Sequence, residues 1–199
     1  MIPRHLVIGL SVMVLAVAVM GVYVWQMSSR IAEVQATATD TRPVAPPAAG
    51  PTEQVTLFVA DDEAGVLHAR TARIPLPGGR QQRAEELLRA LLDLYLDKSS
   101  PHHLAAGAEV RNVYLVEPGL AVIDFNAEFA DGHRSGILLE QLTVASFLQS
   151  LSANVPGISR IRILVDGKSR ETLAGHVDLG DFYDVSAITK MAAQMQPGQ

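Results

Sequence analysis

Twenty consecutive residues without a charge, Leu6 to Trp25 (LVIGLSVMVLAVAVMGVYVW), set the first constraint on this chain. At about 1.5 Å per residue they make a helix of roughly 30 Å, the thickness of a bilayer's hydrocarbon core. A secretory signal has a shorter apolar core, roughly 7–15 residues, closed by a small-x-small cleavage site. Here the run ends in Tyr23, Val24 and Trp25, and the nearest such triplet, Ala36-Thr37-Ala38, lies too far downstream. The expectation is an uncleaved anchor, with 1–5 as a cytoplasmic tip and 6–25 as a transmembrane helix. Tyr23 and Trp25 suit the membrane–water boundary. Arg4 and the terminal amine precede the span, whereas Arg30 after it is offset by Glu33. The positive-inside rule then keeps the N-terminus in the cytoplasm of a single-pass cell-membrane protein, with its remainder periplasmic or extracellular.

Residues 26–52 include Pro43-Val44-Ala45-Pro46-Pro47 and Ala48-Ala49-Gly50-Pro51, with few large apolar side chains, and read as a flexible Pro/Ala-rich linker. Cysteine is absent, which removes disulfides, thiolate metal sites and a lipid anchor on cysteine. Beyond residue 50 the chain carries 13 basic and 19 acidic side chains. That balance argues against nucleic acid as a partner, since phosphate-backbone binding needs clustered Lys and Arg.

A domain is expected over 53–185, with 186–199 as a short C-terminal helix or tail. Val55–Ala60 and Leu67–Ile74 read as strands around the acidic turn Asp61-Asp62-Glu63-Ala64-Gly65. From Arg83 to Leu96, residues Ala84, Leu87, Leu88, Leu91 and Tyr95 recur at helical spacing. Glu109–Val116 and Leu120–Phe125 flank Glu117-Pro118-Gly119, the strongest hairpin signal in the chain. Ile137–Leu151 reads as a second helix and Ile161–Val165 as a strand, with Thr172–Leu179 as a candidate edge strand. Ile188, Met191, Ala192 and Met195 suggest an amphipathic turn. The predicted fold class is α+β, of β-β-α-β-β-α-β order, with two helices on one face of a single mixed sheet.

These segments resemble the GerM-type domain (GerMN) of sporulation and spore germination. Val55-Thr56-Leu57-Phe58-Val59 is similar to its opening strand. Val113 to Phe125, with Gly119 in the turn and Asp124-Phe125 closing the second strand, is similar to its central hairpin. Ile161 to Asp166-Gly167 resembles its final strand and turn. The resemblance covers about residues 53–180. It implies a fold like that of the ring-building modules of sporulation secretion complexes, an envelope location, and no catalytic residues or cofactors to carry over.

His102-His103 reads as a pair of solvated loop histidines, because adjacent imidazoles rarely aim at one ion. His176 and Asp178 would share a strand face with no third ligand. Asp61, Asp62 and Glu63 lack the alternating ligands of a calcium loop and read as a solvated turn. Gly132-His133-Arg134-Ser135-Gly136 has the wrong spacing for a nucleophile elbow, leaving Ser135 as a candidate helix cap. Asp124 is expected to accept backbone N–H bonds from the loop that follows it. Asp166 before Gly167 is expected in a turn, and Phe125 and Phe129 in the core.

The function expected is that of a membrane-anchored, extracytoplasmic, non-enzymatic scaffold or interaction module of the bacterial envelope. Its partners would be the membrane itself and envelope proteins or peptidoglycan-linked components, with a homo-oligomer as an option. The alternative is a periplasmic ligand-binding or regulatory domain sensing a cell-wall component. A hydrolase using His133 or His176 with an Asp ranks below both.

Overall fold

The structure, a computed structural model, describes residues 50–116 and 118–196. The expected anchor over 6–25 and the linker to residue 49 lie outside the described residues. Among the described residues no helix is long and apolar enough to cross a membrane.

Thr52–Asp61 (β1) and Val66–Pro75 (β2) pair antiparallel in unbroken register, from Thr52↔Pro75 to Asp61↔Val66. The turn closes because Asp61 Oδ1 accepts the N–H groups of Glu63 and Ala64, at 3.0 and 2.9 Å, and Gly65 takes a positive φ of 67°. Alternation in β1 sends Val55, Leu57 and Val59 into the core. Helix α1, Arg80–Leu96, buries the stripe that its spacing predicts: Ala84, Leu87, Leu88, Leu91 and Tyr95. It runs one turn further toward the N-terminus than the apolar pattern indicates.

Strands β3 (Val110–Val116) and β4 (Leu120–Phe125) form the expected hairpin, with a register shift between Val110 and Asn112. A short helix, α2 (Ala127–Asp131), follows, its first turn capped by Asn126 Oδ1, which accepts from Phe129 N at 3.3 Å. Helix α3, Ile137–Asn154, then crosses back to β5, Arg160–Val165, which runs parallel to β4. Tyr183–Asp184 (β6) adds an antiparallel edge, and α4, Val185–Gln194, buries Ile188 and Ala192.

The architecture departs from the expected single sheet. Strands β3-β4-β5-β6 form one mixed sheet, while β1 and β2 form a second, separate sheet. The edge strand expected at Thr172–Leu179 is reduced to one bridge, Thr172↔Asp178, and Tyr183–Asp184 takes the edge position instead. Inward-facing Val113, Ala121, Ile123, Phe125, Ile161 and Ile163 join the helices and the β1–β2 hairpin in one continuous core.

Candidate functional site

Helix α3 carries a stripe that an apolar pattern conceals. Glu140, Thr143, Ser146, Ser150 and Asn154 recur every three or four residues, so they share one side of the helix. The first four are fully buried. Three of the five replace a strand. Asn154 Oδ1 accepts Thr56 N–H at 3.0 Å and its Nδ2 donates to Thr56 O at 2.7 Å. Ser150 Oγ accepts Phe58 N–H at 2.9 Å, and Ser146 Oγ donates to Phe58 O at 2.5 Å. Ala60 N–H is taken by the Tyr95 hydroxyl at 2.8 Å. The free edge of β1 is therefore satisfied by side chains, which is why β1 needs no pairing with the larger sheet. Burial pushes the Tyr95 hydroxyl up to about 12, despite its bonds to Ala60 N–H and Ser146.

The remaining two members of the stripe gather loops. Thr143 Oγ1 lies within hydrogen-bond distance of both buried imidazoles, His102 Nε2 and His133 Nε2, each at 2.7 Å. His102 Nδ1 meets Asp62 Oδ1 at 2.5 Å, and Arg134 closes on the other oxygen of Asp62. His133 Nδ1 meets the carbonyl of Arg134 at 2.7 Å. Burial pushes both imidazole pKa values down, and the bond to Asp62 opposes this for His102. His102 is 1% exposed, so reading the pair as solvated is corrected; only His103 is exposed, reaching Asp97 O at 3.3 Å. Asp62 is likewise a structural partner rather than part of a solvated turn. Local sequence could not reveal this, because each partner is at least 40 residues away or on a different element.

Glu140 went unrecognised in the sequence. Its Oε2 accepts the N–H groups of Ala174, His176 and Val177 at 3.1, 3.0 and 2.9 Å. Its Oε1 takes His176 Nδ1 at 2.9 Å and Gly136 N–H at 3.2 Å. Burial alone would raise this carboxyl's pKa, but the bonds from Val177, His176 and Ala174 outweigh it and hold it at about 2. Ser135 Oγ also lies 3.4 Å from His176 Nδ1. Serine and carboxylate thus share one ring nitrogen, whereas a relay needs the two nitrogens to face different groups. Ser135 does not cap α3; Gly136 stands at that position.

The residues singled out in the sequence converge on the loops at the two ends of β4. Gly119 holds φ +74° with Ser159 Oγ 2.7 Å from where a Cβ would lie, so no other residue fits without displacement. Its carbonyl accepts Ser159 N–H at 2.7 Å and Arg160 N–H at 3.1 Å, tying the hairpin turn to β5. Asp124 is 4% exposed and accepts a backbone N–H, but that of Gly167 at 2.7 Å, in the turn after β5 rather than in its own following loop. Asp166 takes a positive φ of 50° and pairs with Arg111 at 2.8 Å. Phe125 stacks on Phe129 at 3.8 Å between ring centres, and Phe147 meets both edge-on.

Exposed apolar side chains gather beside charge on the outer face of the larger sheet, while Leu76, Ile137 and Leu138 are exposed elsewhere. With the inward residues of β3, β4 and β5 buried, alternation turns Tyr114, Val116, Leu120, Val122, Arg160, Arg162 and Leu164 to the other face. The register sets Tyr114 beside Val122 and Val122 beside Arg162; Val116, Leu120 and Arg160 make a second row. Phe182 lies over both guanidiniums, 5.3 Å from Arg160 and 5.0 Å from Arg162. Tyr114, Val116 and Phe182 are 46, 47 and 44% exposed. Among the described residues neither arginine pairs with a carboxylate, and the Nε of Arg162 is buried without a partner.

Fold and surface together define an α+β module in which a side-chain-edged hairpin and a mixed sheet enclose two long helices. The chain belongs to the Germane family, described as "Sporulation and spore germination", whose model matches residues 56–171, more than half of its length. The tandem GerMN domains of the sporulation protein GerM from Bacillus subtilis share the fold, with 22% identity and a TM-score of 0.51. That match covers 67% of this chain and 46% of the tandem structure, so this chain spans about half the tandem length. The first GerMN domain of the same protein is 20% identical, covering 66% of this chain and 97% of that one, with a TM-score of 0.49. No curated protein matches the chain at a significant level.

Proposed function

We propose that this protein is a membrane-anchored, extracytoplasmic interaction module of the cell envelope, acting by binding rather than by catalysis. The observation that carries the reading is the outer sheet face, where Tyr114, Val116 and Phe182 remain about half exposed beside two arginines that meet no carboxylate among the described residues. Contiguous apolar side chains left in water are a mark of an interaction surface. The buried polar groups His102, Asp124, His133, Glu140, Thr143, Ser146 and Ser150, by contrast, are engaged in joining segments of the domain to one another. The uncharged run Leu6–Trp25 supports the anchor, and membership of the Germane family supports a part in sporulation- or germination-type envelope assemblies.

The ligand-sensing alternative rests on a cleft of about 470 Å³ between α1 and the start of β3, lined by Leu92, Leu96, Val110, Arg89, Asp93 and Glu109. Arg89 is turned toward Glu85 and Glu86 at 3.4 and 4.0 Å, which leaves few polar groups converging on a ligand. The test of the anchored reading is fractionation with protease accessibility. The full-length chain should sediment with membranes and lose its domain to protease added to spheroplasts. A shortened soluble product, or a protected domain, would overturn it.

A further inference from the structure

The inner face of the four-stranded sheet is covered by helices, and the outer face has no such layer among the described residues. It is amphipathic across its width. Tyr114, Val116, Leu120 and Val122 occupy the β3–β4 side, and Arg160 and Arg162 the β5 side. Three strands at about 4.8 Å spacing, and the five residues from Asn112 to Val116 at about 3.3 Å each, give a patch roughly 14 Å by 17 Å. An α-helix about 10 Å across and three turns long covers such a patch. We infer that this face docks an amphipathic helix of a partner protein, with apolar side chains on the Tyr114–Val122 side and carboxylates facing Arg160 and Arg162. The inference rests on the interaction-module reading and names its partner's chemistry.

Three observations select this occupant. The aliphatic members of the face, Val116, Leu120, Val122 and Leu164, gain from apolar side chains, and with the Phe182 ring taken up by Arg160 and Arg162 the face offers a sugar only Tyr114 to stack on. The chain's net charge of −5 disfavours adsorption to an anionic bilayer, while two neighbouring guanidiniums attract a local anion. The exposed side chains point out from the face of the sheet and not along the outer edge of β3, its end strand, so a partner that covers them adds a helical layer, as α1 and α3 do on the other side. Arg160 and Arg162 stand next to each other over one ring, a like-charge arrangement that a partner carboxylate relieves.

The test is photo-crosslinking of the full-length chain in host cells lacking the native copy. p-Benzoylphenylalanine is placed at position 114 or 182, and at position 70 on the separate β1–β2 sheet as a control. Adducts at 114 and 182 are expected on one protein, through a peptide with apolar residues at helical spacing and at least two carboxylates. Arg160→Glu with Arg162→Glu should cut the yield about tenfold or more, with none at position 70. Should the double variant lose its fold, Arg160→Glu alone, at an exposed position, reads the same loss. Adducts confined to second copies of this chain, to glycan or to lipid overturn the inference, as does an undiminished yield in the charge-reversed chain. Adducts at 70 but not at 114 or 182 overturn this surface while the interaction module stands; no protein adduct at any position overturns both.

Discussion

Replacing Glu140 by glutamine removes the charge at the centre of the 174–177 loop and keeps the shape. In the native protein one oxygen accepts three backbone N–H groups and the other takes His176 and Gly136. The amide can offer an oxygen to only one of these sets and turns an NH2 group on the other. Burial raises the carboxyl's pKa, the bonds from Val177, His176 and Ala174 more than reverse it, and the net position is about 2 against an ordinary 4.5. A folded pKa below the unfolded one gives stability that is complete above 4.5 and lost as pH falls toward 2. The shift is worth about 3 kcal/mol. Urea unfolding of Glu140→Gln at neutral pH should therefore show a loss of about 3 kcal/mol, and the gap to the native protein should narrow from about pH 5 down to about pH 2. His102 and His133 titrate in both proteins and cancel in the difference. A loss under about 1 kcal/mol, or a gap that does not narrow with acid, would refute the carboxylate's role as the loop's anchor.

Two further substitutions probe the packing. Gly119→Ala should cost about 2–3 kcal/mol, the left-handed backbone penalty plus the clash with Ser159, whereas Gly167→Ala, with φ +70° and open space around it, should cost about 1 kcal/mol; thermal melts that rank them equally would contradict this. Thr143→Val, which strips both buried imidazoles of a shared hydroxyl, should cost about 2–3 kcal/mol in urea unfolding, and a neutral result would remove the histidine pair from the list of loop ties.

Where side-chain periodicity and turn chemistry were decisive, the sequence was readable. Leu120–Phe125 matches its strand residue for residue because Pro118-Gly119 fixes one end and Asn126 the other. The stripe Ala84–Tyr95 is buried as its spacing requires. The separation of the two sheets was not readable, because it depends on Ser146, Ser150 and Asn154 replacing a strand partner about 90 residues away. In a helix read for apolar residues such polar positions pass as the solvent side. Glu140 and His102 escaped for the same reason: a buried charge or imidazole is recognisable only through partners that the fold supplies. Asn126 with Phe129 three residues on did offer a cap signal for α2 that periodicity alone passes over.

The central claim, that function resides on the outer sheet face, is tested most directly by rescue of a deletion strain with full-length Tyr114→Ser/Phe182→Ser, set against Ser135→Ala at an exposed polar position. The account predicts that the face variant, present at native abundance and folded by circular dichroism, fails to rescue while Ser135→Ala rescues fully. Full rescue by the face variant, or loss of rescue in Ser135→Ala alone, would contradict it.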